Sequence, residues 1–441
     1  MRRIGGPFRG RANGTGVATP NSKRKSLDWN GDRKAIDMKH ALSEAALPRG
    51  FRFAATACGL KKTGALDLAI FSSDVPASAA AVFTQNLVVA APVTLSKKHL
   101  QLSKGRMRAL VVNAGNANCA TGPQGDAVSL RMVEETARRL RVPSEEVFVC
   151  STGVIGVQLP VEKIVRALPS LARNCRPSAR SFAELSLAIC TTDTRPKTAS
   201  ASFKMAGKRI HLVGCAKGAG MIHPNMATML AFVATDAAIS PALLQKTLNE
   251  VTKRTFNAIS VDGDTSTNDT LLVLANGEAG APLIQKGSKA HRAFTGVLED
   301  VCQSLALQIV ADGEGAQRVI EIEVRHAKSE TAARRIAETI ATSPLVKTAF
   351  AGGDPNWGRI FAAAGRAGVK FDPALVDIQM AGISVLRRGQ PLDFNERAAS
   401  NKLLADHVPV IVDLHAGDAR ARYWTCDFTA EYVRINASYR T

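Results

Sequence analysis

Lys217-Gly218-Ala219-Gly220-Met221-Ile222-His223-Pro224-Asn225-Met226-Ala227-Thr228-Met229-Leu230 lies in the middle of the chain and organises the reading of the rest. Two glycines and a proline make the approach to Thr228 irregular and constrained. The apolar run that follows, residues 229–233, reads as a buried strand or the start of a packed element. A hydroxyl held between a constrained loop and a rigid element is well placed for nucleophilic work. A mid-chain threonine has no amine of its own to serve as base. Breaking the Ala227–Thr228 bond supplies one.

Around this stretch the chain reads as mixed α/β. Residues 66–71 and 108–112 have strand character, and residues 146–150 form a buried strand running straight into Ser151-Thr152-Gly153. Asp126 is placed to cap a helix reaching about residue 141, with Val128, Met132 and Val133 on one side. Residues 241–255, 292–310 and 330–342 have helical period. Residues 320–324 alternate as a half-buried strand, and residues 410–414 and 421–428 flank a Gly417-Asp418 turn as a hairpin. A boundary near residue 320 separates a large first domain, 41–320, from a smaller α/β domain, 321–441.

Composition narrows the class. At 441 residues the chain can bury a sizeable core, and 46% apolar with 22% charged residues is ordinary for a soluble globular protein. No apolar run reaches the length of a membrane span. The net charge of +19 invites a nucleic-acid reading, but residues 1–37 alone hold nine Lys/Arg against three acids. No basic stripe is interleaved with aromatics, so attraction of small anionic substrates is the milder inference. The first 40 residues are rich in Gly, Arg, Asn and Ser, and read as a disordered basic extension. They suit either an upstream start before a true initiator at Met38 or a transit peptide. The eight cysteines are scattered without a C-x-x-C pair, which argues for reduced thiols, and the histidines show no metal-ligand spacing.

Several further segments can carry chemistry, each with a plainer reading beside it. Thr152 and Gly153 can form an oxyanion hole, or a polar turn ending a strand. Residues 113–118, Asn-Ala-Gly-Asn-Ala-Asn, can donate to a substrate carbonyl or form an Asx-type turn. Thr191-Thr192-Asp193-Thr194 can bind substrate or close a loop. Residues 261–269 superficially suggest a calcium loop but lack its glycine position and terminal Glu. Glu314, in Ala311-Asp312-Gly313-Glu314-Gly315-Ala316, can pair with a substrate ammonium or be a solvated turn glutamate. Lys217 can hold a carboxylate or be a surface lysine. The Gly352–Arg359 loop, Gly-Gly-Asp-Pro-Asn-Trp-Gly-Arg, is too rich in special residues to be filler, and its role is not readable alone.

Together these segments resemble the ornithine acetyltransferase family, the bifunctional arginine-biosynthesis enzymes with glutamate N-acetyltransferase activity. The resemblance runs from about residue 45 to the C-terminus. It rests on residues 150–156, 191–194, 217–230, 261–269, 311–316, 352–359 and the terminal Tyr-Val-Arg-Ile-Asn-Ala-Ser-Tyr-Arg-Thr, 432–441. It implies a layered αββα sandwich of the kind shared with self-processing aminopeptidases, plus the smaller C-terminal α/β domain. It implies self-cleavage between Ala227 and Thr228, and an α2β2 assembly of the two pieces. Thr228 would be the nucleophile, with Thr152 and Gly153 as the oxyanion hole. Thr191, Lys217, Thr228, Glu314, Asn436 and Thr441 would line the substrate site. The implied substrates are N-acetylornithine and glutamate, with no cofactor, metal, nucleic acid or membrane, and acetyl-CoA left open as a further donor. The implied compartment is the cytoplasm, or the mitochondrial matrix if residues 1–37 are a transit peptide. The rival readings are a self-processed aminopeptidase or amidase, whose acyl-enzyme is resolved by water, and a basic nucleic-acid-binding protein.

Overall fold

Long apolar runs rich in Val, Ile, Leu and Phe favour strands that are covered on both faces. In a computed structural model, which describes residues 44–223 and 229–438, such runs form the centres of two sheets. The basic extension before Met38, and Ala227, Thr228 and Thr441, lie outside the described residues. The strands are β1 (Phe51–Thr56), β2 (Leu68–Phe83), β3 (Arg106–Asn116), β4 (Val147–Val154), β5 (Lys197–Met205), β6 (Lys208–Lys217), β7 (Leu230–Thr235), β8 (Ile259–Ser260), β9 (Thr270–Ala275), β10 (Val319–Ala327), β11 (Asp377–Met380), β12 (Ile383–Arg387), β13 (Gln390–Pro391), β14 (His407–Asp413) and β15 (Ala419–Cys426). The helices are α1 (Ala91–Leu102), α2 (Gly122–Leu140), α3 (Val161–Arg173), α4 (Ala179–Ala188), α5 (Pro241–Arg254), α6 (Lys289–Ala311), α7 (Glu330–Ala341), α8 (Pro344–Ala351), α9 (Trp357–Gly365), α10 (Glu396–Leu403) and α11 (Ala430–Ser438).

The first sheet runs β4-β3-β2-β9-β7-β6-β5, with β1 also paired to the long β2. Its β3–β4 and β7–β9 pairs are parallel. One face carries Phe53, Phe71 and Phe148 against Phe182 and Leu185 of α4. The other carries Ile70, Val111 and Val149 against Met132 of α2 and Ile164 and Leu168 of α3. The second sheet runs β13-β12-β11-β14-β10-β15-β8, and its inner residues Ile320, Ile322 and Val324 pack with Ile336 and Ile340 of α7. Helix α6 touches both sheets: Gly214 of β6 approaches it so closely that a Cβ would lie 3.0 Å from Leu305. This is the mixed α/β class of layered sheets and helices expected from the sequence.

Three local expectations change. The helix expected to begin at Asp126 begins a turn earlier, at Gly122, because a proline in its first turn has the right φ and needs no N–H partner. The expected C-terminal hairpin does not form: β10 lies between β14 and β15, parallel to the first and antiparallel to the second. The apolar run of β10 takes an interior position, where both edges are paired. Its alternation is also less clean than expected, since Glu323 is buried, 2.7 Å from Arg325 and near Arg422. No helix among the described residues is long and apolar enough to cross a membrane, and the eight cysteines are unpaired thiols.

Candidate active site

The parallel strands β3 and β4 pinch together at their ends. Gly153 sits at φ +131°, and a Cβ there would lie 2.4 Å from the Gly115 carbonyl carbon. Only glycine fits such an approach, and the pairing register shifts at Asn116 as a result. Thr152-Gly153 is therefore strand, not a turn after one. Both residues line a cleft of about 270 Å³ whose described walls also include Thr191, Lys217, Glu314 and Asn436. The structure thus brings together all six of the expected site residues that it describes.

Each wall has its own support. Lys217 ends β6 and is the register partner of Leu230, so the loop quoted at the outset leaves and re-enters the sheet at one place. The buried Lys217 Nζ donates to Thr152 Oγ1 at 3.3 Å, which leaves that hydroxyl's own proton free to point elsewhere. Glu314 is buried too. Its backbone N–H donates to the Ala219 carbonyl at 2.8 Å, and Asn436 Nδ2 donates to its Oε2 at 2.8 Å. A Cβ on Gly220 would lie 2.4 Å from that same carboxylate, so the glycine lets the loop lie against it. Helix α11 supplies Asn436 and is held by Thr429 Oγ1 donating to the Gly315 carbonyl at 2.7 Å.

Carboxylates from the quoted motifs, to which no role was given, stiffen the site together with Lys197, which no motif contained. Asp193 Oδ1 accepts from Gly218 N–H and from Lys197 Nζ, each at 2.6 Å. Lys197, fully buried, also donates to Asp312 Oδ2 at 2.6 Å. Burial pushes the Asp193 carboxyl up, but Lys217 and Lys197 outweigh it and hold the group at about 2. Asp262 accepts from the N–H groups of Met221 at 2.5 Å and Ile222 at 2.8 Å, anchoring the loop just before Pro224. Tyr432 Oη donates to Asp262 Oδ2 at 3.3 Å. Burial raises the carboxyl of Asp262, and that of the fully buried Asp269 far more; Asp269 Oδ2 has no hydrogen-bond partner among the described residues. Such groups give no local pattern: Asp193 and Asp312 are separated by more than a hundred residues and share Lys197.

Other motifs find structural work. Asn113 and Asn118 spend their amides on the carbonyls of Asn116 and Gly125, and Asn268, which lines the cleft, donates to the carbonyls of Ala117 and Ser151, so these amides brace its wall. Thr194 Oγ1 donates to Asp312, closing its loop, while Thr191 lines the cleft. The Gly352–Arg359 loop is the corner between α8 and α9. There Asn356 caps α9, and Arg359 reaches the Leu345 carbonyl at 2.8 Å.

The chain matches the family model ArgJ over residues 52–441. It is 46% identical over 402 residues to the arginine biosynthesis bifunctional protein ArgJ of Lactococcus lactis, covering 91% of this chain and all of that one. It is 50% identical over 396 residues to the protein of the same name from Thermus thermophilus, covering 90% and 99%. Among solved structures, ArgJ of Bacillus halodurans is 43% identical, over 47% of this chain and 98% of that one, with a TM-score of 0.46. Ornithine acetyltransferase of Mycobacterium tuberculosis, solved with ornithine, is 35% identical over 40% and 92%, with a TM-score of 0.35. With a family model spanning nearly the whole chain and relatives close to half identical along nine-tenths of it, the chain belongs to the ArgJ family.

Proposed function

We propose that this chain, an acyltransferase of arginine biosynthesis, moves the acetyl group of N2-acetyl-L-ornithine to L-glutamate, releasing L-ornithine and N-acetyl-L-glutamate. The observation that carries the reading is the convergence of Thr152, Gly153, Lys217 and Glu314 on one cleft. Lys217 there pairs in register with Leu230, two residues beyond Thr228.

The chemistry begins with self-cleavage. Thr228 Oγ attacks the Ala227 carbonyl, the amide C–N bond breaks as an ester forms, and water hydrolyses the ester. Ala227 keeps a carboxylate and Thr228 gains a free amine. An α-amine has a pKa of about 8, close enough to working pH to act as a base. It takes the proton of Thr228 Oγ, which attacks the acetyl carbonyl of acetylornithine. Thr152 and Gly153 meet the charge on the tetrahedral oxygen, and one such donor is typically worth about 3 kcal/mol. The ammonium of Lys217 beside Thr152 Oγ1 makes that hydroxyl a stronger donor. Ornithine leaves with the proton, acetyl-Thr228 remains, and the glutamate amine takes the acetyl group in a ping-pong cycle.

In the same scheme Lys217 holds a substrate α-carboxylate and Glu314, steadied by Asn436, holds an amino group. Thr191 and Thr441 complete the substrate wall. The assembly is α2β2 and cytoplasmic, and residues 41–320 and 321–441 act as catalytic and supporting domains.

Intact mass and N-terminal sequencing of purified protein test the scheme, alongside an assay of acetyl transfer with and without glutamate. Two pieces, one beginning Thr228-Met229-Leu230, with glutamate accelerating loss of acetylornithine, are expected. Thr228→Ala should abolish both cleavage and transfer. A Thr228→Ala protein that is cleaved and active would sink the scheme, and loss of acetylornithine indifferent to glutamate would favour an amidase. Substituting acetyl-CoA as donor in the same assay decides whether the chain is also an amino-acid N-acetyltransferase.

A further inference from the structure

Strand β10 leaves the cleft region at Val319 and runs seven residues to His326, about 23 Å at roughly 3.3 Å per residue. At that far end the sheet gathers a second group of polar side chains. The parallel register sets Arg325 beside Asp413, the last residue of β14. The chain then turns, with the Leu414 and Ala416 N–H groups donating to the carbonyls of Arg325 and His326. His326 lies at φ +50° within an irregularity of the β10–β15 pairing, and His415 lies at φ +47°. Such a bulge re-aims a side chain that regular pleating would send elsewhere.

The side chains converge. His326 Nδ1 is 2.7 Å from Asp413 Oδ2, and His415 Nδ1 is 3.5 Å from Asp413 Oδ1. The two imidazoles lie nearly parallel, centroids 6.0 Å apart. One ligand atom from each of the three residues falls within 4.8 Å of the others. The other nitrogen of His415, Nε2, faces Asp377 Oδ2 at 3.0 Å, from the start of β11. Asp377 is itself oriented by the Arg388 N–H, which donates to its Oδ1 at 2.7 Å.

We propose that His326, Asp413 and His415 form a binding site for one divalent transition-metal ion of the zinc class, with Asp377 as the residue that orients His415. Two imidazoles and one carboxylate are a borderline donor set that suits zinc and excludes magnesium and calcium, which want oxygen. Ligands about 2.0–2.1 Å from a tetrahedral ion stand about 3.3–3.4 Å from one another. The His415–Asp413 distance already meets that, and the His326–Asp413 pair needs to open by about 0.6 Å, a small side-chain rotation. The Asp377–His415 bond has the form of the outer carboxylate that fixes a ligating imidazole's tautomer and ring plane. A simple surface ion-pair cluster does not require that relay. The bound ion joins the end of β10 to the end of β14 and the turn after it, and solvent completes its coordination. No sequence spacing announced the site, because His326 meets Asp413 and His415 only through the register of β10 against β14.

Zinc chloride titrated into the full chain at pH 7.5 by calorimetry, with magnesium chloride as control, tests the proposal. One zinc ion per chain is expected, with Kd at or below the low micromolar range and no magnesium binding. Cobalt(II) should give a visible d–d band. The double variant His326→Ala/His415→Ala should lose at least 100-fold in affinity and the cobalt band. Asp377→Asn, which leaves all three ligands in place, should weaken zinc about 10- to 100-fold. Acetyl transfer and the melting curve in chelator should match the parent in both variants. Zinc binding no tighter than millimolar, or unchanged in the double variant, would overturn the site. Unchanged affinity in Asp377→Asn would remove Asp377 from it.

Discussion

Gly153 and Lys197 show how much of the site turns on single side chains, or on the lack of one. At φ +131°, with the Gly115 carbonyl carbon 2.4 Å from where a Cβ would be, Gly153→Ala must push β3 and β4 apart. Transfer should fall by about 100-fold or more, the scale of one oxyanion donor, mainly in kcat, as steady-state kinetics would read. Lys197 is fully buried between Asp193 and Asp312. Lys197→Met removes the cation that two buried carboxylates share and should cost about 3–5 kcal/mol in urea unfolding. The acid limb has a definite sign. Asp193 is held at about 2 against an ordinary 3.8, so it contributes stability above pH 4 that is lost as pH falls toward 2. In Asp193→Asn that part of the acid sensitivity should be missing from unfolding midpoints measured across the same window. The sequence displayed Thr152, Gly153, Lys217 and Glu314 because strands and glycines flank them. It did not display Asp193, Lys197 or Asp312 as a group, since charges that meet across folded layers leave no local period.

Elements were legible where one pattern dominated. The apolar runs of β3 and β4, the 3.6-residue period of α5, α6 and α7, and the alternation in β10 each name their element. The pairing of elements was less so. Residues 410–414 and 421–428 look like the arms of a hairpin around Gly417, yet β10, nearly a hundred residues earlier, lies between them. Adjacent strands pair only when no better partner arrives, and nothing local to the turn reports β10. The last helix makes the same point in function. Asn436 reaches Glu314 because α11 folds back on Gly315, which has φ +71° and lies where a Cβ would be 2.5 Å from Tyr432 N. Gly315→Val should displace α11 and release Glu314. KM for the amino substrates should rise about tenfold with a smaller change in kcat, and near-native circular dichroism would show the fold intact.

For the molecule as a whole, charge and connectivity have separate consequences. The +19 net charge gathers partly before residue 38. A chain started at Met38 should transfer acetyl groups at the full-length rate while eluting earlier from a cation exchanger, and a large loss of activity would give that extension a role. Connectivity has the deeper effect. In the first sheet β7 and β9 lie between β2 on one side and β6 on the other. The cut proposed after Ala227 would therefore leave two strands of the second piece wedged inside a sheet whose flanks belong to the first. Neither piece could form the first sheet without the other, so the proposed scission would have to follow folding. Before the cut the chain refolds as a single molecule. Once cut as proposed, recovery from denaturant would be a meeting of two molecules, and its half-time should shorten as protein concentration rises.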